Sequence, residues 1–412
     1  MNGVGIMVPQ AMEDLGVRRS LVEDLALKTL YLQGELTLVE LADQMRLSFA
    51  VIEDVFGRLR KERLCEVTGM FSGVHCITAT SQGKLRALEL LSFNQYSGPT
   101  PVSLEDYVRT VRTQSVRDVE INEADVKCGF GHLVLRPQTL TQLGSAIISG
   151  QSIFLYGPPG TGKTTVATAI PNMYRDEVWI PYAIEVDGQI MTVFDPHVHQ
   201  PSEEPTAGET DGRWVRCSRP RVVTGGELTI EMLDLQFNTT TKFYSAPLQL
   251  KANNGVLIVD DFGRERIRPN ELLNRWIVPL DRRIDFLTLA GGKKFEIPFD
   301  LFVVFATNLD PRELADEAFL RRIQSKVKLE NMNPAEFHEV FHRVCAEFSL
   351  VYDAEVVEEV IKLIANIPQP LRPCYARDIV QHICWSARYA GRPPCLDFTS
   401  VVQACRSYFV SA

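Results

Sequence analysis

Gly157-Pro158-Pro159-Gly160-Thr161-Gly162-Lys163-Thr164-Thr165 places glycines, a lysine and three hydroxyls in a stretch that matches G-x-x-x-x-G-K-[ST]. Each part has a physical task. The glycines let successive backbone N–H groups curl around phosphate oxygens, and a helix starting near Gly162 adds the partial positive charge of its N-terminus. Lys163 suits the β- and γ-phosphates of a nucleotide, and the Thr164 hydroxyl suits Mg2+. A second stretch, Val256-Leu-Ile-Val-Asp260-Asp261, ends four apolar residues in two acids. At the carboxyl end of a strand, Asp260 is placed to hold Mg2+ through its water shell. Asp261 is placed to orient and deprotonate an attacking water. Together they describe a nucleotide site.

These residues need a scaffold. Ser152–Tyr156, Val256–Val259 and Leu301–Ala306 are near-continuous apolar runs, the pattern of a parallel sheet covered on both faces. Strands and helices alternate over 125–330, which predicts an α/β nucleotide-binding domain. From Asn333 onward the apolar period is helical (Val356, Val360, Leu363, Ile364), so 331–412 reads as a helical domain.

Residues 17–92 read differently. Leu21, Leu25, Leu27, Leu30 and Leu32 mark a helix stopped at Gly34, and helices over Leu38–Met45 and Phe49–Leu59 follow. Short strands at Cys65–Thr68 and Cys76–Thr80 flank Met70–Gly73, before a helix over Ser81–Leu91. That order resembles a winged-helix module. Arg58, Arg60, Lys61 and Arg63 cluster at the end of its third helix, yet the unit holds 10 basic and 10 acidic residues. A DNA reader usually carries a net basic footprint, so DNA contact and protein docking both stay open. Residues 93–124 read as a linker, with turn chemistry over Asn94–Pro101 and a helix over Leu104–Val111.

The spacing of the glycine-rich loop and the acidic strand resembles that of AAA+ ATPases over roughly Asp125 to Ala412. Phe302-Val-Val-Phe-Ala-Thr-Asn308 resembles the sensor-1 strand, and Glu317-Ala-Phe-Leu-Arg321-Arg322-Ile resembles the arginine-finger segment. Arg377, in Tyr375-Ala-Arg-Asp-Ile, sits where the helical lid of such proteins carries sensor 2. The resemblance implies ATP and Mg2+ bound at the subunit interfaces of a homo-oligomeric ring, a hexamer, that hydrolyses ATP to remodel a protein or DNA partner. Asn308 would position water, and Arg322, preferred to Arg321, would reach the γ-phosphate of the adjacent subunit. Asp260-Asp261 departs from the Asp-Glu usual in the family. Asp is one methylene shorter, and Asp-Asp also marks transposition helpers and the bacterial replication initiator. A DNA-associated ATPase using the winged helix, or a slow nucleotide switch, therefore stands as an alternative.

Two patterned stretches read as hairpins, one between Phe237 and Tyr244 and one over Asp285–Leu289 and Lys294–Ile297. They resemble the helix-2 insertion of MoxR-type ATPases, magnesium chelatases and enhancer-binding activators, and the pre-sensor-1 hairpin. The resemblance implies that both point into a central pore. Alternation alone gives only hairpins.

Composition narrows the setting. The chain has 412 residues, 45% hydrophobic and 23% charged, with a net charge of −9. No apolar run approaches the ~20 residues of a membrane span, so membrane insertion is not expected. Met1–Gly16 lacks a basic stretch before an apolar one, and the nine cysteines form no C-x-x-C pair, which together suggest a cytoplasmic protein with reduced thiols. His338-Glu-Val-Phe-His342 spells a zinc-peptidase motif without a third ligand at short range, and it reads as the polar face of a lid helix. Asp195, His197 and His199 read as a solvated loop with a metal site as the alternative, and Gln200–Gly212 reads as a long mobile loop.

Overall fold

The computed structural model describes residues 6–202, 210–264, 266–314, 317–367 and 369–409. Its centre is a parallel five-stranded sheet with strands in the spatial order Arg221–Thr224, Val256–Val259, Phe302–Thr307, Ile153–Tyr156 and Ser325–Lys328. Strand residues alternate between two cores. Ile153, Leu155, Ile258 and Val304 face Leu143, Val166 and Ile170 on one side. Phe154, Leu257, Val303 and Phe305 face Phe262, Trp276 and Phe299 on the other. With both faces covered, every second residue meets a core, so the run must be apolar throughout. Every residue of Val256–Val259 and Phe302–Thr307 is buried. The fold class is the α/β parallel sheet with a helical domain that the sequence predicts.

Register then places the chemistry. Thr307 pairs with Tyr156, and Val259 pairs with Phe305, so the residues that follow these strands emerge along one edge of the sheet. Those residues are Gly157, Asp260 and Asn308.

A second sheet was not legible from the pattern. It orders Gln236–Phe237, Tyr244–Ser245, Gln189–Thr192, Ala183–Val186 and Val102–Ser103, with an antiparallel ribbon Glu177–Pro181/Trp214–Ser218 beside it. Strands Ala183–Val186 and Gln189–Thr192 of this sheet, with both strands of the ribbon, are inserted between helix Lys163–Ala169 and strand Arg221–Thr224. The hairpin Ile284–Thr288/Lys294–Pro298 packs Leu287 and Ile297 into the same core as Ile184, Met191 and Trp214.

Segment 93–124 is more than a tether. Strand Val102–Ser103 joins the second sheet, and helix Leu104–Thr113 buries Tyr107 and Val111. Its far end is fastened by polar contacts to the base of the central sheet. Gln114 Nε2 donates to Asn254 Oδ1 at 2.9 Å, Ser115 Oγ donates to Asp300 at 2.9 Å, and the buried Arg219 donates to the carbonyls of Gln114 and Asn254.

The N-terminal unit has helices Arg19–Gln33, Leu38–Met45, Phe49–Lys61 and Ser81–Phe93 with a small sheet ordered Leu36–Thr37, Val74–Ala79, Cys65–Phe71. Thr37 and Glu40 form a reciprocal capping box that starts the second helix. Gly83 lets the last helix lie against the chain at Leu64, whose carbonyl oxygen a Cβ would meet at 1.9 Å. Ala183 and Ile190 of the second sheet enter this unit's core. The helical domain comprises Pro334–Glu347, Ala354–Asn366, Pro373–Tyr389 and Phe398–Tyr408 around Phe337, Phe341, Ile364, Ile379 and Val401. Among the described residues, no helix is long and apolar enough to cross a membrane.

Of the polar stretch Gln200–Gly212, residues 203–209 lie outside the described residues. Its ends are held, because Pro201 bridges to Cys217 and Asp211 is buried against Arg213.

Candidate functional site

A cleft of about 520 Å³ lies between the carboxyl edge of the central sheet and the helical domain. Its floor is the glycine-rich loop. Gly157 has φ +146°, and a Cβ there would meet the Leu329 carbonyl oxygen at 2.1 Å, so only glycine fits. Gly160 and Gly162 adopt φ +78° and +87°, which turn the chain from strand Ile153–Tyr156 into helix Lys163–Ala169. Thr161 Oγ1 donates to the Pro158 carbonyl at 2.9 Å and braces the loop across Pro159. Thr165 follows Thr164 in the first turn of the helix.

Lys163 is buried, and its Nζ donates to the carbonyls of Gly157 at 3.0 Å and Pro158 at 2.7 Å. Burial pulls its pKa down, and the carboxylates of Asp260 and Asp261 oppose that shift. A bound phosphate would offer the ammonium stronger, charged acceptors than these two carbonyls.

Thr164 Oγ1 donates to Asp260 Oδ2 at 2.8 Å, so the two residues assigned to a divalent cation are already in contact. Asp260 Oδ1 accepts from the Asp261 amide at 3.0 Å. Asp261 itself is exposed in the left-handed region at φ +52°, and Asn308 Nδ2 donates to its Oδ1 at 3.2 Å. The turn is locked to the neighbouring strand, because Phe262 N donates to the Ala306 carbonyl and Thr307 Oγ1 donates to the Phe262 carbonyl. Five predicted residues (Lys163, Thr164, Asp260, Asp261, Asn308) therefore converge on one edge.

These groups fit a nucleotide with Mg2+. Among the described residues, no group of three or more His, Cys, Asp or Glu could hold a metal ion. A Mg2+ held by one carboxylate, one hydroxyl, waters and substrate phosphates needs no such group.

Arg377 lines the cleft from the helical domain, but its guanidinium pairs with Glu347 at 2.9 and 2.5 Å. Arg322 lies elsewhere. It precedes strand Ser325–Lys328, whose Ser325 pairs with Ile153 at the amino end of the sheet, and its Nε donates to Asp281 at 2.7 Å. Its side chain is 29% exposed, against 76% for Arg321, which pairs with Glu317 at 2.7 Å.

Several contacts around the cleft had no sequence signal. Arg343 donates to the carbonyls of Gly131 at 2.8 Å and Leu133 at 3.3 Å, tying the helical domain to the cleft wall. Arg136 reaches Glu330 and Glu336, each at 2.7 Å. Both join residues about 200 positions apart, beyond the reach of any local pattern.

One other expectation needs correction. His199 is fully buried, not solvated: its Nδ1 accepts from the Asp195 amide at 2.9 Å, and its Nε2 donates to the Lys251 carbonyl at 2.8 Å. Burial holds its pKa below the usual imidazole value, and Asp195 pairs with Lys251 at 2.9 Å. This is a structural knot with both ring nitrogens satisfied. In the zinc-like stretch, His338 contacts Tyr352 and Glu358, and Glu339 pairs with Arg343. Both hairpin tips are engaged within the chain. Gln95 N donates to the Thr241 carbonyl at 2.9 Å, Lys242 bonds the Ser92 carbonyl, and Tyr96 meets Phe243 edge-on. In the second hairpin, Lys293 pairs with Asp187 at 2.6 Å and Ala290 N donates to the Tyr244 hydroxyl.

A family model described as "Domain of unknown function (DUF8689)" matches residues 333–407, within the helical domain. No curated protein matches the sequence. Among solved structures, the chain is similar to the Thermotoga maritima RuvB Holliday junction branch migration motor, at 15% identity over 70% of each chain with TM-score 0.39. It is also similar to NtrX from Brucella abortus, at 14% identity over 65% of this chain and 53% of that one with TM-score 0.39. Domain III of the Thermotoga maritima replication initiation protein DnaA is similar at 13% identity over 70% of this chain and 99% of that one, with TM-score 0.38. Values this low carry no argument about function, which rests on the residues of the cleft.

Proposed function

We propose that this chain is an AAA+-type ATP hydrolase, acting as a cytoplasmic homo-oligomeric ring, a hexamer, that remodels a macromolecular partner. The observation that carries the reading is the contact of Thr164 with Asp260 at 2.8 Å, beside Asn308 on Asp261 at 3.2 Å, on the strand edge that bears the glycine-rich loop. ATP occupies the cleft, and Lys163 exchanges its loop carbonyls for β- and γ-phosphate oxygens. Thr164 and Asp260 hold Mg2+, which offsets phosphate charge when bound. Asp261 orients water and accepts its proton, and Asn308 fixes the Asp261 carboxylate. Arg377 needs release from Glu347 before it can meet the nucleotide, which is a route for the helical domain to close on bound ATP.

Arg322 supports hydrolysis shared between copies. The strand beside it is four residues long, so the phosphate loop of the same chain lies roughly 13 Å away at the other end. A neighbouring copy can present its γ-phosphate there.

The organisation proposed is a winged-helix-like unit over 17–92, a connection over 93–124, the nucleotide-binding domain over 125–330 and a helical lid over 331–412. The helix and strand order of the first unit supports its part. Protein is the favoured partner. Met70 and Phe71 at the tip of the two-stranded wing are 65% and 68% exposed, and Arg58 is paired with Glu23 and Glu62. A DNA-reading wing would carry cations there. Phosphate release by the wild type and by Asp261→Asn tests the reading: turnover in the first and none in the second is expected. Equal rates would remove Asp261 from the chemistry, and no turnover in either would leave the slow-switch alternative.

A further inference from the structure

The hairpin Cys65–Phe71/Val74–Ala79 leaves one side of the N-terminal unit's sheet open. In the order Leu36–Thr37, Val74–Ala79, Cys65–Phe71, the last strand pairs with Val74–Ala79 on one side. Among the described residues no segment pairs with its other side. At 7 residues it is the longest strand described, and it offers an edge of roughly 23 Å. From Thr68 to Phe71 every residue is exposed, and a Cβ at Gly69 would meet nothing within 4 Å.

An unpaired edge is a template for another strand, and proteins blunt it with lysine, proline, inward charges or a bulge. The edges of the central sheet follow that rule: Ser325–Lys328 carries Lys326 and Lys328, and Arg221–Thr224 opens on an arginine. Cys65-Glu-Val-Thr-Gly-Met-Phe71 has no cation and no proline, and its one charge is Glu66. Its guard is a register shift at Thr68, whose Oγ1 donates back to the Cys76 carbonyl at 3.2 Å. Beyond that bulge, Gly69–Phe71 stays open. The flanks state what would fit. Arg60, Lys61 and Arg63 lie just before the strand, all exposed, and none is ion-paired among the described residues. Exposed Met70 and Phe71 stand at the other end. The edge therefore has a polarity, cationic where it starts and apolar where it ends.

We propose that the outer edge of Cys65–Phe71 is a strand-addition site for an extended segment of a partner protein, apolar at one end and acidic at the other. Backbone N–H and C=O groups supply the pairing. The acidic end seats against Arg60, Lys61 and Arg63, and the apolar end covers Met70 and Phe71. In antiparallel addition the acids fall at the segment's carboxyl end, since that end meets the start of Cys65–Phe71. Duplex DNA would also be drawn to three cations, but Met70 and Phe71 offer its phosphates no donor. The proposal gives the chemistry of the protein partner proposed above and rests on that reading, not on ATP hydrolysis.

The test is calorimetry on the full chain with a synthetic peptide of about ten residues, alternating valine and threonine and ending in three glutamates. Binding is expected, with greater amide-exchange protection over residues 65–71. It should weaken about tenfold or more for Met70→Lys with Phe71→Lys, and again for Lys61→Glu with Arg63→Glu. Arg406→Glu, on the helical domain, should leave it unchanged. All five side chains are exposed, and an unchanged thermal midpoint confirms that each variant folds. Methylating the alternate peptide nitrogens that face the edge should abolish binding, and methylating the other set should spare it, which separates strand pairing from apolar contact alone. No binding, or binding indifferent to these variants or to methylation, overturns the proposal. Duplex DNA bound at this edge in the peptide's place, or a dimer of the chain that Met70→Lys dissolves, overturns it by naming another occupant. Phosphate release is measured beside the titration. Absent turnover would sink the proposed ATPase while the peptide still decides the edge, and a peptide that fails to bind would leave the ATPase standing.

Discussion

Replacing Arg322 by alanine separates two functions that the fold puts at opposite ends of the central sheet. The arginine begins the approach to Ser325, which pairs with Ile153, whereas the glycine-rich loop follows Tyr156. Own-chain contact with the γ-phosphate is thus barred by about 13 Å of strand. Arg322→Ala should leave ATP affinity of the dilute subunit within twofold of wild type. In the assembled protein it should lower turnover by on the order of 10³-fold, equivalent to roughly 4 kcal/mol of transition-state stabilisation. Mixing with Asp261→Asn sharpens the argument. An interface is active when an Arg322→Ala subunit holds the nucleotide and an Asp261→Asn subunit supplies the arginine. With random one-to-one mixing that holds at one ordered pair in four, so about a quarter of the wild-type rate per subunit should return although both parents are inactive. Phosphate release, followed beside a fluorescence measure of subunit exchange, reads this directly. A mixture that exchanges yet stays inactive, or normal hydrolysis by Arg322→Ala alone, refutes the shared site.

Two further outcomes follow from packing and charge. Gly157→Ala forces a Cβ to 2.1 Å from the Leu329 carbonyl oxygen at φ +146°, so it should abolish nucleotide binding and lower the thermal midpoint by several degrees; unchanged binding would mean the loop is not the cradle. Lys28 is 5% exposed, with its Nζ donating to the Asn94 carbonyl at 3.1 Å, and burial draws its pKa down to about 8 against Asp24. Because the folded value lies below the ordinary 10.5, the unfolded chain holds more protons between the two, and stability should climb from pH 8 toward 10.5. Lys28→Met should stabilise the chain by about 2 kcal/mol at pH 7 and lose that advantage by pH 10.5. Denaturant titrations of both proteins across that window check it, and a pH-independent difference would contradict it.

What the sequence makes legible depends on whether a residue's constraint is local. The apolar runs Val256–Val259 and Phe302–Thr307 announce a parallel sheet because each face meets its own core, leaving no position free to be polar. Glycines 157, 160 and 162 announce the phosphate loop because their positive φ values favour glycine, and at 157 a Cβ would also strike the Leu329 carbonyl. Asp260 and Asn308 could be placed at the same edge because each ends such a strand. The second sheet escaped notice for the opposite reason. Val102–Ser103 and Gln236–Phe237 are two-residue strands that pair with partners far along the chain, and two residues cannot display a period. His199 looked solvated because its neighbours are Pro and polar residues, and its burial comes from the carbonyl of Lys251, invisible at a separation of 52 positions. The hairpins were readable as hairpins. Their docking onto Gln95 and Asp187 was not, since it depends on where the second sheet sets the N-terminal unit.

The most direct test of the account is Mg2+-dependent ATP binding and turnover by the wild type and by Lys163→Ala, measured on the same preparations by calorimetry and phosphate release. Lys163 supplies the only side-chain cation within the glycine-rich loop. The account predicts ATP binding that strengthens with Mg2+ and measurable turnover in the wild type. It predicts loss of one or both in Lys163→Ala at an unchanged thermal midpoint. ATP binding and hydrolysis by Lys163→Ala at the wild-type level would contradict it.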